Sequence, residues 1–488
     1  MSTLSFAIRG TTRKHLGCQF GRTTFTTGRL THIHRCSRRQ LNTTTARAEP
    51  ALNTQSPRLG QDAPFERAVA QPKAFQASAK PDHLKNADYL AHPIPRFEGE
   101  GVPELTLQFN DGKLQFYNEA DNHTTTISGR WLRDNCSCSQ CRNVDTAQRQ
   151  INVLKGNMNT EITSCDLSGP NDSTVTVTFG DGHTSEIPVA SILKRRGHRM
   201  TQSRYGLTPI TIWQADISNS PPSVSYSTVD KQPGMASLLT QIRTHGFCFI
   251  KDIPVTPEAT ETLLKSIGPI RETHYGGFYD FTSDLSLKDT AYTSEALEPH
   301  TDNTYFTEPA GLQALHMLSH TDGTGGESSL VDGFGAATQL YVEDREAYKI
   351  LAETGVYAHA SGNEGISIQP SHAFSTLSHD PEGGYLTQVR WNNADRAGIA
   401  VDFKDMERWY DAAAKFDALL NDAKNVYWFR LEPGTMVIFD NWRVLHGRAA
   451  FTGKRRMCGG YIPRDDFISK YRSVALSKED VAFSTVTG

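Results

Sequence analysis

Glu298-Pro299-His300-Thr301-Asp302-Asn303-Thr304-Tyr305-Phe306 decides the reading of this 488-residue chain. His300 and Asp302 are two apart, so on a strand both side chains leave the same face. An imidazole and a carboxylate converging this way supply two-thirds of a facial triad. A second histidine from a distant strand completes one face of an octahedral Fe(II) and leaves the other positions open for an oxidant and a cosubstrate. His446, in Phe439-Asp440-Asn441-Trp442-Arg443-Val444-Leu445-His446-Gly447-Arg448, is the best such histidine. Nine residues later stands Arg455, a guanidinium able to grip a carboxylate through two parallel hydrogen bonds. Among 17 histidines a His-x-Asp pair arises about once by chance, and the chain carries a second copy, His320-Thr321-Asp322. That copy runs into Gly323-Thr324-Gly325-Gly326, a loop composition that does not hold ligands rigidly. The first copy is followed instead by an apolar, strand-like run at 311–318.

Working outward, composition narrows the class. A formal net charge of −4 argues against a nucleic-acid or polyanion binder. Hydrophobic residues at 37% and charged ones at 21% suit an ordinary globular chain, and no apolar run approaches the roughly 20 residues that cross a bilayer. Of eight cysteines, Cys136, Cys138 and Cys141 crowd together and the others scatter. This is not a secreted disulfide framework; it suits a reducing compartment and one metal site.

Residues 1–48 hold nine Lys or Arg and no Asp or Glu, with abundant Ser and Thr. That pattern fits a mitochondrial transit peptide rather than a secretory signal; the bland alternative is a basic tail without an address. Residues 49–94 read as a polar linker. From 95 to 205 the pattern is short strands and turns, beginning with a hairpin over 105–109 and 113–117 around Asn110-Asp111-Gly112. Cys136-x-Cys138-x-x-Cys141 offers three thiolates in a tight loop, and tetrahedral Zn(II) wants a fourth ligand. His183, in the turn after the strand 174–179, is the first choice, with Cys165 and His198 as alternatives. A closed Cys3His site has a structural role, pinning a small β-domain; the alternative is three free thiols.

Residues 206–225 read as a connection, and the catalytic domain as 226–475. Helices are expected over 235–244, 257–265 (capped by Thr256), 336–353 and 404–425, and a buried strand at 246–250. The strands 427–431 and 435–439, joined by Glu432-Pro433-Gly434, read as a hairpin that delivers the chain to His446. Mostly strands with flanking helices, and ligands from separated strands, suit a jelly-roll barrel, although pattern alone does not separate it from a generic α+β sheet.

Several stretches together resemble the gamma-butyrobetaine dioxygenase and trimethyllysine dioxygenase family: Trp131-Leu132-Arg133-Asp134-Asn135-Cys136-Ser137-Cys138-Ser139-Gln140-Cys141, Arg271-Glu272-Thr273-His274-Tyr275-Gly276, the His300 segment, Val331-Asp332-Gly333-Phe334, Val389-Arg390-Trp391-Asn392-Asn393, and the His446 segment. Order and spacing agree from about 95 to 470, and the wording around Tyr275, His300 and His446 is more similar to the trimethyllysine branch. The resemblance implies a double-stranded β-helix oxygenase domain behind a small zinc-binding β-domain, with His183 as the fourth zinc ligand. It implies Fe(II) on His300, Asp302 and His446, 2-oxoglutarate as cosubstrate held by Arg455 with Ser328 beside it, O2, and ascorbate as reductant. Arg456 would point to the opposite face of the strand from Arg455.

By family register Tyr275, Tyr279, Tyr292 and Tyr461 form an aromatic cage. A quaternary ammonium has no N–H to donate, so cation–π attraction and shape must hold it; any one tyrosine by itself reads as ordinary packing. Tyr279 stands where the family pattern has tryptophan. Asp289 stands where the butyrobetaine branch has an amide, and a carboxylate there pairs with an α-ammonium, which trimethyllysine has and gamma-butyrobetaine lacks. Asn392, Asn393 and Arg396 are unranked candidates for contacts to the substrate's polar end. The implied activity is hydroxylation of Nε-trimethyllysine at C3, the first step of carnitine biosynthesis, by a homodimer in the mitochondrial matrix. The rivals are gamma-butyrobetaine hydroxylation, an iron-free binder of methylated lysine, and a zinc-dependent interaction module on a decayed barrel.

Overall fold

The computed structural model describes residues 105–478, apart from 111, 119–122, 169–173, 189–191, 193–209, 283–292 and 381–383, together with 481. The expected presequence and linker, and His198, lie outside the described residues.

Leu105–Asn110 and Lys113–Asn118 form the expected hairpin, with Leu107 opposite Phe116. Its turn places Gly112 at φ +72°, a left-handed conformation that a Cβ would strain. His123–Thr126 adds a third strand. A short helix, Gly129–Asp134, starts at Ser128, whose hydroxyl accepts from the Trp131 N–H. A second antiparallel sheet follows, built from Ile162–Ser168, Thr174–Phe179 and Thr184–Pro188. Val175, Val177 and Phe179 alternate inward and meet Leu114, Leu132 and Ile187 in a small core.

The remainder is built on two larger sheets with helices outside them, together with a three-stranded sheet (Phe374–Ser375, Gly355–Ala358, Arg396–Ile399) and a two-stranded one (Leu377–His379, Leu386–Val389). The six-stranded sheet runs, in spatial order, Ser223–Ser225, Phe247–Lys251, Thr435–Asp440, Leu312–Thr321, Lys454–Ile462 and Tyr279–Thr282. All its pairs are antiparallel except the first. The four-stranded sheet runs Leu297–His300, Val444–Arg448, Ser328–Asp332 and Val426–Phe429. Thr435–Asp440 shows the layering. Met436 and Ile438 face a cluster shared with Gln232–His245, Pro257–Ile267 and Arg464–Ala475. Val437 and Phe439 face the other way, into a cluster with Leu330, Tyr427 and Val444 of the second sheet. A strand covered on both faces reads as an unbroken apolar run. Gly333–Glu343, Arg345–Glu353 and Phe403–Leu420 cover the far side, burying Leu340, Tyr348, Trp409 and Phe416 around Val331 and Leu445. The architecture is mostly β with flanking helices, and a jelly-roll core is consistent with it.

Four local expectations differ from what is seen. The helix expected at 336–353 is two helices, because Asp344 ends the first and its carboxylate caps the second by accepting from the Ala347 N–H. The helix expected to reach 425 stops at Leu420. The hairpin expected at 427–439 is not one: Val426–Phe429 pairs with Ser328–Asp332, and Thr435–Asp440 with Phe247–Lys251 and Leu312–Thr321. Glu432-Pro433-Gly434 therefore carries the chain from one sheet to the other, the kind of crossing that closes a jelly roll. In the stretch read as a connection, Trp213 is buried in the barrel cluster and Ser223–Ser225 joins the six-stranded sheet.

Candidate functional site

The strand Leu297–His300 lies antiparallel to Val444–Arg448 with His300 directly opposite His446. Their rings are 4.2 Å apart. His300 Nε2 is 3.3 Å from Asp302 Oδ1, and His446 Nε2 is 3.9 Å from Asp302 Oδ2. The three ligand atoms lie within 4.8 Å of one another, a donor set that suits Fe(II). His300 Nδ1 hydrogen-bonds the Glu298 carbonyl at 2.8 Å, which leaves Nε2 as the atom available to a metal. Burial drives His446 down to about 3, with the neighbouring His300 adding to it, so its imidazole is neutral and ready to ligate at pH 7. Burial opposes the charge on His300, but the bond to Asp302 outweighs it and raises that imidazole above its ordinary value. Burial likewise works against the Asp302 carboxylate; His446, His300 and the Tyr461 hydroxyl overcome it and hold Asp302 well below the usual range. Among the described residues the second His-x-Asp copy assembles no ligand set: His320 Nε2 contacts the Thr452 carbonyl and Asp322 sits in a turn at φ +58°.

One assumption about the motif fails. The strand ends at His300, and Asp302 lies in the turn beyond it, so strand alternation is not what aligns the pair. Asn441 does this instead. Its Oδ1 accepts from the Asp302 N–H at 2.8 Å, and its Nδ2 donates to the carbonyls of Asp302 (3.0 Å) and Ala310 (3.1 Å). A buried amide thus replaces the strand partner that this turn lacks. Arg390 holds the next residues by donating to the carbonyls of Thr304, Phe306 and Thr307. Asn441→Ala is expected to weaken Fe(II) affinity by about 10- to 100-fold, the scale for losing a group that orients a ligand, in a titration of the purified protein with Mn(II) as the probe. Unchanged affinity would show that the turn holds Asp302 unaided.

The triad opens into a cavity of about 550 Å³, within the range of small-molecule sites. Arg455 and Ser328 line it. Arg455 is 2% exposed, stacks over Phe451 at 4.9 Å, and its Nε and Nη1 are buried without a hydrogen-bond partner. Among the described residues no carboxylate is within ion-pair distance of it. A buried cation in that condition calls for an anion, and a dicarboxylate reaching in from the triad fits. Arg456 turns outward, as expected, and pairs bidentately with Asp280 at 2.9 and 2.6 Å.

Tyr275, Tyr279 and Tyr461 line the same cavity; Tyr292 and Asp289 lie outside the described residues. The Tyr461 hydroxyl donates to Asp302 Oδ2 at 2.6 Å, and the Tyr279 hydroxyl to the Ala314 carbonyl at 2.7 Å. The two rings meet edge to face at 5.8 Å, their hydroxyls tethered and their π faces fixed. Gly459 makes this possible, because a Cβ there would come within 2.7 Å of the Tyr279 ring. Asn392, Asn393, Trp391, His274, Gln313, His359, Ser361 and Asp395 are also in the wall. Sequence reading passed over His274, Gln313, His359, Ser361 and Asp395 as site residues. Only Asp395 had a local signal, the turn sequence Asn392-Asn393-Ala394-Asp395.

Away from this cavity, Cys136, Cys138 and Cys141 converge on His183, their sulfurs 3.4, 3.8 and 3.5 Å from its Nε2. Zn–S near 2.3 Å and Zn–N near 2.0 Å at tetrahedral angles give an S–N edge of about 3.5 Å, so the four groups fit that ion. Arg133 donates to Cys141 Sγ at 3.1 Å and pairs with Asp181 at 3.5 Å, placing a cation beside the three sulfurs. Cys165 is not in this group.

Residues 206–461 match the family described as taurine catabolism dioxygenase TauD, TfdA, and residues 103–193 match gamma-butyrobetaine hydroxylase-like, N-terminal. Trimethyllysine dioxygenase of Neurospora crassa is 42% identical over 404 residues, 75% of this chain and 83% of that protein. The human mitochondrial trimethyllysine dioxygenase is 36% identical over 408 residues, 80% of this chain and 94% of that one. A gamma-butyrobetaine dioxygenase from a Pseudomonas strain is more distant, 29% identical over 364 residues, 72% of this chain and 91% of that one. With these similarities running through both the cysteine cluster and the His-Asp-His centre, the chain belongs to the gamma-butyrobetaine dioxygenase and trimethyllysine dioxygenase family of Fe(II)- and 2-oxoglutarate-dependent oxygenases.

Proposed function

We propose that this chain hydroxylates C3 of Nε-trimethyllysine with Fe(II), 2-oxoglutarate and O2, the first step of carnitine biosynthesis. The observation that carries the reading is one cavity holding the His300, Asp302 and His446 donor set together with a buried Arg455 that, among the described residues, has no carboxylate within ion-pair distance and has two guanidinium nitrogens without a hydrogen-bond partner. His300, Asp302 and His446 hold the iron. Arg455, with Ser328 alongside, takes the far carboxylate of 2-oxoglutarate. When bound, iron couples oxidative decarboxylation of 2-oxoglutarate, yielding succinate and CO2, to insertion of one oxygen atom of O2 into a C–H bond. The protein's part is to hold that bond close and in one orientation. Tyr275, Tyr279 and Tyr461, with Tyr292, present π faces to the quaternary ammonium. Tyrosine at 279 in place of tryptophan makes that cage a weaker cation–π partner. Asp289 and Asn392 are assigned to the substrate's polar end, and ascorbate to keeping the iron reduced.

The deciding assay is succinate formation by the full chain with Fe(II), 2-oxoglutarate and ascorbate, comparing Nε-trimethyllysine with gamma-butyrobetaine. Trimethyllysine should stimulate turnover selectively. Stimulation by butyrobetaine alone would overturn the substrate, and silence with both would overturn the enzyme.

The remaining assignments rest on family likeness and composition. Residues 1–48 serve as a transit peptide to the mitochondrial matrix, as the names of the mammalian relatives suggest. Residues 49–94 are a linker, 95–205 a zinc-stabilised β-domain and 226–475 the oxygenase domain of a homodimer. For the zinc site, metal analysis should find one zinc per chain, and Cys138→Ser should lose it together with several kcal/mol of local stability. Amide exchange across Thr174–Phe179 is the readout. Full protection in a zinc-free Cys138→Ser protein would refute a stabilising role.

A further inference from the structure

The proposed hydroxylation constrains where the substrate's charges lie, and the following rests on that reading. In Nε-trimethyllysine, C3 is two bonds from the α-nitrogen, about 2.5 Å, and four bonds from the quaternary nitrogen, about 5 Å. The α-ammonium must therefore sit close to the iron ligands, whereas the quaternary end reaches outward to the rings. A desolvated ammonium needs a carboxylate beside it.

Among the described residues three carboxylates line the cavity: Glu298, Asp302 and Asp395. Asp302 is engaged by both imidazoles and the Tyr461 hydroxyl. Glu298 is exposed, where water screens its charge. Asp395 is half-buried in the wall, on the turn after Trp391. Trp391 is held to Thr301, the residue between His300 and Asp302, by backbone and hydroxyl hydrogen bonds of 2.7 and 3.0 Å, so that turn runs beside the iron ligands. Its placement is built by its own turn. Asn392 Nδ2 donates to Asp395 Oδ2 at 2.8 Å, while Asn392 Oδ1 accepts from the Ala394 and Asp395 N–H groups at 3.0 and 3.3 Å. The Asp395 carbonyl accepts from the His359 N–H at 2.9 Å, tying that turn to the neighbouring segment 359–361, which also lines the cavity. The Asn392 carbonyl oxygen and one of its two N–H donors are thus given to aiming the carboxylate, and its second N–H remains for the substrate's polar end.

We infer that Asp395 is a specificity-determining residue that pairs with the α-ammonium of an amino-acid substrate, and that Asn392 is its positioning residue. Gamma-butyrobetaine, which has no α-ammonium, gains nothing from this carboxylate. The preference for trimethyllysine thus has a source on the turn after Trp391 as well as any at Asp289.

The test compares Nε-trimethyllysine with its desamino analogue, 6-(trimethylammonio)hexanoate, on the iron-loaded full chain. The wild type should prefer trimethyllysine by about 10-fold or more in kcat/KM. Asp395→Asn should lower kcat/KM for trimethyllysine by about 10- to 100-fold, the scale of a lost charge-assisted bond, and leave the analogue within about twofold. The loss should fall mainly on KM, because the ion pair is present in ground and transition states alike. Asp395→Glu, which keeps the charge, should restore part of the preference, and Asn392→Ser should show a smaller loss of the same selective kind. Equal losses with both substrates would make Asp395 merely structural and overturn the inference. A selective loss in Asp289→Asn with none in Asp395→Asn would overturn it as well, as would a wild type that does not distinguish the two compounds. A wild type inert toward trimethyllysine would remove the proposed function itself, and this inference with it.

Discussion

Asp302→Ala is expected to reduce trimethyllysine-stimulated succinate formation on the order of 10³-fold or more, a barrier penalty of about 4 kcal/mol, and to abolish tight iron binding. The size follows from how many groups depend on this carboxylate. Its two oxygens face different imidazoles, Oδ1 toward His300 at 3.3 Å and Oδ2 toward His446 at 3.9 Å, so it is the one anion in a divalent cation's protein ligand set. Its removal also leaves the buried Tyr461 hydroxyl without its acceptor. The His300 imidazole, raised above its ordinary value by Asp302 against the effect of burial, should fall when the carboxylate is gone, a shift that NMR titration of the metal-free protein can follow. Tyr461→Phe provides the contrast. It removes the hydroxyl but keeps the carboxylate, so metal affinity should change far less than in Asp302→Ala, while a poorer cage raises KM. If Asp302→Ala kept both iron affinity and turnover, the triad assignment would be wrong.

What the sequence disclosed about this site depended on how local each signal was. His300, Asp302 and His446 were legible because metal chemistry limits the residue types and the spacing singles out few candidates. Strand alternation does not align His300 with Asp302: the strand stops at His300, and Asn441, 139 residues from Asp302, does the aligning. No period in the sequence encodes such a long-range amide clasp. Strand 435–439 was found from its apolar run, but its partner was not. Val437 and Phe439 look the same to a period-two reading whether the chain turns back within a sheet or crosses to the facing one. Asp344 ends one helix and caps the next, an event that helical periodicity alone reads through. Arg455 and Arg456 are separable in the sequence because strand alternation puts neighbours on opposite faces; one is buried with two nitrogens lacking a hydrogen-bond partner among the described residues, and the other pairs with Asp280. Asp395 was missed because it is an ordinary turn aspartate until its cavity is visible.

Asp332→Ala should destabilise the barrel by about 3–5 kcal/mol, although Asp332 is not among the proposed metal, cosubstrate or substrate contacts. Asp332 is 2% exposed, as is its partner Arg443. Arg443 Nε and Nη2 donate to the two carboxylate oxygens at 3.0 and 2.8 Å, and the same guanidinium reaches the carbonyls of Thr244 and Thr211. Asp332 Oδ1 also accepts from the Phe334 N–H at the start of Gly333–Glu343, and Oδ2 from the Trp213 N–H. One ion pair therefore joins the end of a barrel strand, a covering helix, the segment entering the barrel and the turn that leads to His446. Taking away the carboxylate leaves a buried guanidinium with no counter-charge, a penalty much greater than the net value of the intact pair. Against a total folding stability of about 5–15 kcal/mol, it is enough to deplete soluble protein. Arg443→Met in the Asp332→Ala background should recover a large part of the loss, because the unpaired charge goes with it. Urea unfolding of both singles and the double closes the cycle. A single-mutant cost under about 1 kcal/mol, or a double mutant no more stable than Asp332→Ala, would show that uncompensated charge is not what the pair guards against. Recovery in the double mutant would separate two jobs within Asp440-Asn441-Trp442-Arg443-Val444-Leu445-His446. Arg443 would be there to neutralise Asp332 while it ties the barrel together, and Asn441 and His446 to shape the metal centre.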